Sequence, residues 1–469
     1  MKSCVGVCNE CPGRGIVREG SMQFLFIVLG ATFGFLFGFN IAIIAGALPL
    51  FSSAFDLSTF QQGLIAAALP FGAVIGVAAV IFTVDRFGRR PVLLGSSVAF
   101  AIGILLGALA PEFVTLLLGR AIAGAAIGVS TTVAPMYLAE ISPARVRGAA
   151  VATFQLMVTT GILIAYCISW ILTASGDWRL MFAIGLIPAA ISFAGMVWAP
   201  ESPRWLLLSG QSTKARKIFK TVQPNMETAE MEKIIQEVET LKVESSGDDL
   251  WSALFRPPVL AFTIFAAMTF LLQQLCGINE ILIFAPLLFK EAGLSGANSQ
   301  LLATVGVGVV LVTVTIVTML VIDRLGRRPL YIWGFVGAFV SMSFIAANYL
   351  FPGVMQPLYV VLAFFAFIVF FSISIGPLPW IYLAEVFPLP LRRSGMAAVS
   401  LFNWTWFWII VLVFPSISAA LGPGIVFSFF AVVGVFGIWY TWKYAPETAG
   451  IELEEVEDTI EKDNPNYAG

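Results

Sequence analysis

The chain has 469 residues, 59% of them hydrophobic and 12% charged, about half the charged fraction a soluble domain uses to cover its surface. A net charge of −2 denies it the positive field of a nucleic-acid binder, and the absence of histidine removes His-based triads, His proton relays and most zinc sites. No G-x-x-x-x-G-K-[ST] phosphate loop is present, so the chain encodes no ATPase engine.

Residues 1–22 read as a polar N-terminal tail. Cys4, Cys8 and Cys11 cluster there, three thiols that could ligate a metal or accept a lipid, against the plainer expectation of a solvated, reduced tail with no such role. Arg14, Arg18 and Glu19, with no apolar stretch of signal-peptide length before the first long run, predict a tail that is not a cleaved signal peptide. Six apolar runs follow, at 23–50, 60–83, 92–110, 113–137, 149–172 and 178–199. Each is long enough to cross the roughly 30 Å hydrocarbon core as a helix, and too continuously apolar for a β-barrel. These define a first domain, 23–199.

The polar segment 200–257 comes next. It opens with PESPRWLLL and continues with METAEMEKIIQEVETLKVE, where Met231, Ile234, Ile235, Val238 and Leu241 recur at helical spacing. Short amphipathic helices against a membrane domain are expected. Six more runs, 258–289, 298–322, 330–350, 356–382, 396–419 and 423–444, define a second domain, 258–444, before an acidic tail, 445–469. Cys167 and Cys276 fall in apolar runs and read as packing residues.

Orientation follows from Arg and Lys in the short loops. Arg86, Arg89, Arg90, Arg145, Arg147, Arg324, Arg327, Arg328, Arg392 and Arg393 lie after the second, fourth, eighth and tenth runs, against Arg179 and Lys290 on the other side. The first set is expected in the cytoplasm, with both termini and 200–257. The chain also repeats: VDRFGRRP (84–91) returns as IDRLGRRP (322–329), YLAE (137–140) as YLAE (382–385), each with an Arg seven residues later, and APES (199–202) as APET (445–448). Two parallel six-helix repeats are implied, an arrangement typical of transporters whose halves rock about a central site.

DRFGRRP, PMYLAEISPARVRG, PESPRWL, QQLCGIN, DRLGRRP, GPLPWIYLAEVFP and PETAG occur in an order that resembles the sugar porter family of the major facilitator superfamily, over about 23 to 453. The resemblance implies an all-α membrane protein of twelve transmembrane helices in two six-helix parallel repeats, with short cytoplasmic helices between them. It implies transport of a monosaccharide across the plasma membrane (the inner membrane of a Gram-negative cell) by alternating access. It implies no cofactor and no resident metal, and a monomer suffices for transport; the oligomeric state stays open.

By similarity Gln155, Gln273, Gln274, Asn279, Trp380, Asn403 and Trp404 match sugar-contacting positions. Side-chain chemistry agrees: amides both donate to and accept from hydroxyls without fixing a charge, and intramembrane polar groups face protein or a water-filled cavity. The alternative for each is a helix–helix hydrogen bond, worth about 0.6 kcal/mol in a membrane. The resemblance also implies that Glu140, Arg147, Glu201 and Arg204 in one half, and Arg327, Arg328, Glu385, Arg392 and Glu447 in the other, form ion-pair networks at the inner gate.

Departures from the family bear on coupling. Asn40, in GFN, stands where proton-coupled members carry Asp, while Arg120 remains. Ile162 stands where proton-coupled xylose transporters have Gln. Ile283 and Phe284 replace two Tyr, and Leu311 replaces an Asn, which leaves pentose, hexose and inositol all open as substrates. Glu280 has no counterpart. Seven residues after Gln273, it falls within roughly 20° of the same helical face unless Gly277 breaks the helix. Either it faces the cavity, or is protonated, or it sits near water at the outer end of its span. Uniport is the expectation; a sugar/proton symporter with Glu280 as proton site is the alternative. A sugar sensor that binds without transporting is disfavoured by the short C-terminal tail, and no nucleophile, base and metal set assembles into an enzyme.

Overall fold

The computed structural model describes residues 13–143, 146–223, 229, 231–236, 250–257, 259–322, 325–353, 355–387 and 391–447, with backbone alone for 13–24, 250–251, 384 and 392–393. The cysteines of the N-terminal tail, Arg145, Val238, Leu241, Arg324, the side chains of Arg392 and Arg393, and the tail beyond residue 447 lie outside this description.

Every regular element among the described residues is helical. Twelve helices among them are long and apolar enough to cross a membrane. In the first half these are Leu25–Ala54, Thr59–Phe87, Arg89–Ala108, Phe113–Ile141, Arg147–Leu172 and Trp178–Trp198. In the second they are Val259–Glu291, Ala297–Val321, Arg327–Leu350, Pro357–Leu383, Ser394–Leu421 and Pro423–Tyr444. The third begins at Arg89 rather than 92 and the fourth runs on to Ile141, because the charged ends expected as loops are themselves helical.

Local chemistry sets the ends. The second span starts on a capping box, Ser58 and Gln61 each accepting the other's backbone N–H. It stops at Gly88, whose φ of 94° is open to glycine and strained for other residues; Gly326 repeats this before the ninth span with φ 76°. Glycines also let spans touch. A Cβ at Gly72 or Gly76 would strike the carbonyl oxygens of Ala121 or Ala125, and one at Gly124 or Gly128 those of Leu69 or Ala73. The second and fourth spans therefore pack backbone to backbone through paired small-x-x-x-small faces, the arrangement that gains dispersion contact where lipid offers no hydrophobic drive.

The first span packs on the fifth, the third on the fourth and the ninth on the twelfth. The halves meet where the second span packs on the eleventh and the fifth on the eighth. The buried side chains form one continuous apolar core through both halves. The intervening helices Pro203–Leu208 and Ser212–Val222, with helical 231–236, enclose a small core of their own built on Leu206, Leu207, Ala215, Phe219, Met231 and Ile235.

Three spans are not single helices. The sixth divides into Trp178–Ala183 and Leu186–Trp198. The seventh divides into Val259–Leu275 and Ile278–Glu291, and the tenth into Pro357–Phe370, a π-turn Phe371–Ile375, and Leu378–Glu385.

Candidate functional site

The breaks in the seventh and tenth spans have sequence causes. Gly277 is left-handed, φ 87°, and separates the two pieces of the seventh. In the tenth, GPLP places Pro379 where the carbonyl of Ile375 would find its helical donor, and proline has none. The N–H of Gly376 reaches back five residues to Phe371 (2.8 Å), and that of Trp380 turns to Pro377 (3.2 Å) rather than Gly376. Two carbonyls are thus left open inside a bilayer, where an unsatisfied backbone group costs several kcal/mol. Gln273 fills both: its Nε2 donates to the carbonyl oxygens of Ile375 (3.0 Å) and Gly376 (2.8 Å). One amide therefore ties the two breaks together at one level of the bundle.

The neighbouring amides form a chain. Gln274 Nε2 donates to Asn403 Oδ1 at 2.6 Å, and Asn279 Nδ2 donates to Gln274 Oε1. Gln273, Gln274, Asn279, Asn403 and Trp404 are all buried. Trp404 lies against Phe407, and against Phe37 of the first span, which reaches it from the other half at 5.6 Å between ring centroids. Trp380 sets its edge against Phe270 (4.8 Å) with 40% of its surface open. The structure thus brings the four amides of the seventh and eleventh spans together, with both tryptophans on the same half. Gln155, exposed on the fifth span, makes no side-chain hydrogen bond to this cluster among the described residues.

Glu280 is fully buried in the first turn of Ile278–Glu291, and neither carboxylate oxygen has a hydrogen-bond partner. It does not sit near water at the end of its span. The shared face with Gln273 also fails, because Gly277 restarts the helix between them. Asn40 and Arg120 are buried and adjacent: Arg120 Nη1 donates to the backbone carbonyl of Asn40 (2.8 Å), and the Asn40 amide turns back to the Leu36 carbonyl (2.9 Å). The guanidinium faces a neutral carbonyl where an acid would hold it.

At the arginine-rich end each half carries the same knot. Arg89 grips Glu140 with two hydrogen bonds of 2.9 Å, and Asp85 stands 3.8 Å away. Glu201 accepts the backbone N–H groups of Arg89 (3.1 Å), Arg90 (3.2 Å) and Ser202 (2.7 Å), and Tyr137 donates to the Pro200 carbonyl. In the second half Arg327 lies 3.7 Å from Glu385, Glu447 accepts the N–H groups of Arg327 (2.8 Å) and Arg328 (3.2 Å), and Tyr382 donates to the Pro446 carbonyl. Burial pushes the Glu201 carboxyl above the usual carboxylate range, against the pull of those N–H groups and of the Arg89 guanidinium. Arg90 and Arg328 each clamp backbone carbonyls of the span before the knot's acid, Met196 with Val197 and Trp442.

Arg89 and Arg90 were absent from the expected gate set although their repeat mates Arg327 and Arg328 were in it; the DRFGRR/DRLGRR alignment carries that signal. Arg147 and Arg204 stand differently from those pairs. Neither makes an ion pair among the described residues, and the Arg147 Nε is buried without a partner. The Arg392 side chain lies outside the described residues.

Residues 26–459 match the family model described as Sugar (and other) transporter. The D-xylose transporter of Levilactobacillus brevis is 36% identical, over 95% of this chain and 97% of its own length. The arabinose-proton symporter of Bacillus subtilis is 32% identical over 95% of this chain and 97% of its own. Among solved structures, the xylose transporter XylE from E. coli, in a partially occluded inward-open conformation, aligns with a TM-score of 0.80 at 26% identity, covering 92% of this chain and 100% of that one.

Proposed function

The chain belongs to the sugar (and other) transporter family, and from that premise we propose that it carries a pentose or hexose together with a proton by alternating access. It is a multi-pass membrane protein and a transporter, not an enzyme. The arginine-rich end is the cytoplasmic one, both termini are inside, and the halves 23–199 and 258–444, joined by the segment 200–257, rock about the central site.

The observation that carries the reading of the site is the amide chain Asn279–Gln274–Asn403 beside two broken helices. Amides that hold one another keep spare donors and acceptors for hydroxyls, and Trp380 offers an open face for the C–H side of a sugar ring. On this reading Gln155, an exposed amide of the first half, belongs to the opposite wall, and a bound sugar bridges from it to the cluster. The knots of Glu140, Glu201, Glu385 and Glu447 with Arg89, Arg327 and Arg328 hold the helix ends at the inner gate.

Asn40 argues for uniport, since an amide cannot cycle a proton. Two observations favour the coupled alternative: a relative of similar length is named a proton symporter, and Glu280 is a buried carboxyl without a partner. An ionised acid at membrane depth costs roughly 3 kcal/mol or more unless it is hydrated or paired. Coupling requires that the proton affinity of Glu280 change with sugar occupancy or with the open side.

Counterflow in vesicles with labelled pentoses and hexoses tests the sugar reading; binding without counterflow would make the protein a sensor. Sugar-induced alkalinisation of an unbuffered, de-energised cell suspension, lost in Glu280→Gln, tests the coupling. Downhill flux with no pH signal would return the protein to uniport and leave Glu280 a structural residue.

A further inference from the structure

The second piece of the seventh span contains Pro286. Proline has no N–H, so the carbonyl four residues earlier, that of Leu282, has no helical donor. Leu282 is buried at membrane depth, where water does not reach to fill the gap. The donor comes from the other half of the molecule: the hydroxyl of Tyr166, on the fifth span, donates to the Leu282 carbonyl oxygen at 2.7 Å. Tyr166 is itself completely buried. One helical turn further along the same face, Trp170 Nε1 donates to Asn298 Oδ1 at 2.6 Å, at the start of the eighth span. Gly308 of the eighth span lies close enough to Leu163 and Tyr166 that a Cβ would touch both, so the spans meet here without a spacer.

Both hydrogen bonds cross between the halves, and both lie far from the arginine-rich knots. Tyr166 stands nineteen residues into a span that starts at Arg147, roughly 28 Å along the helix at about 1.5 Å per residue. We propose that Tyr166 and Trp170 are outer-gate residues of the transport cycle, and that the Tyr166 hydroxyl stops the backbone gap made by Pro286 only while the outer end is shut. This rests on the transport reading above. Opening that end separates the fifth span from the seventh, strips Leu282 of its donor and leaves water entering from outside to replace it. The gap at Pro286 is thereby a local bias toward the closed outer end, since the closed state satisfies the carbonyl from within the protein.

The test uses the full-length protein in lipid bilayers, with its native cysteines replaced by serine and spin labels at Ser53→Cys and Ser299→Cys, exposed positions at this end of the two halves. Tyr166→Phe removes one oxygen and keeps the ring. It is expected to raise the ratio of long to short label distances about fivefold, the worth of one buried neutral hydrogen bond. Pro286→Ala restores an N–H for Leu282 that is present in every state. In that background Tyr166→Phe is expected to shift the ratio less than about twofold, a non-additivity that general loosening of the fold does not produce. Trp170→Phe is expected to shift the ratio the same way and by less, because Asn298 is exposed. An unchanged ratio in Tyr166→Phe, or an equal shift with and without Pro286, overturns the proposal. The distance readout needs no sugar, so a shift in a protein that moves none would sink the transport reading and leave the latch standing.

Discussion

At the arginine-rich end the two halves match residue for residue: Arg89 with Glu140 and Glu201 in one, Arg327 with Glu385 and Glu447 in the other. Midway along the bundle they part. The first span runs unbroken through Gly34 and Gly38, and the fourth carries Pro135 within a continuous helix; their repeat mates, the seventh and tenth, are both interrupted. The paired amides and both tryptophans of the site fall on the interrupted half. One repeat has kept its first and fourth spans continuous, while the other has traded continuity in their mates for freed backbone and side-chain groups. The ends are alike because both halves carry the same anchoring pairs; the middles differ because the amide chain and the broken helices beside it fall on one half alone.

The comparison breaks most visibly at the knots. Arg89→Ala strips the bidentate partner from a Glu140 side chain only 12% exposed, and is expected to destabilise the fold by about 3 kcal/mol, the cost of stranding one member of a buried pair. Arg327→Ala, with its longer and more open contact, is expected to cost about half as much; equal losses in thermal unfolding in detergent would show the knots to be energetically equivalent. Gly277→Ala places a Cβ against the Phe430 ring at a left-handed position and is expected to cost roughly 2 kcal/mol, with transport lost, whereas Gly148→Ala on the continuous fifth span meets open space and is expected to change neither. Asn403→Ala removes a chain partner of Gln274 and should weaken sugar binding about tenfold, while Gln155→Ala should weaken it less and leave stability untouched; isothermal titration separates the two. The smallest effect concerns pH. Burial raises the Glu201 carboxyl, so as pH climbs from the ordinary carboxylate range toward that raised value the unfolded chain releases its proton first and stability falls. Glu201→Gln is expected to lack that slope in melting temperature.

The twelve spans were legible in the sequence because apolar length is a local property that a bilayer rewards directly. The repeat made the knots legible, yet Arg89 and Arg90 needed the alignment applied in both directions. Facing within the seventh span was not legible. Counting seven residues from Gln273 to Glu280 assumes one helix, and Gly277 resets the count. The tenth span's break was written in GPLP, but its consequence, two open carbonyls, appears only when Gln273 is seen to fill them. Gln155 matches a binding position in sequence but makes no side-chain hydrogen bond to the amide cluster among the described residues, since the approach of the halves is a property of the conformational state and not of either helix.

The Gln273 contacts have a practical consequence for anyone wishing to retune what this transporter accepts. Position 273 looks like a pocket-lining residue and invites replacement, yet its amide protons are committed to the backbone of another span. A library randomised there would mostly sample misassembled pockets, and its rare survivors would be selected for carbonyl capping before any preference among sugars. Asn403 and Gln155, whose side chains hold no backbone break together, are the positions at which substrate preference and assembly can be varied separately.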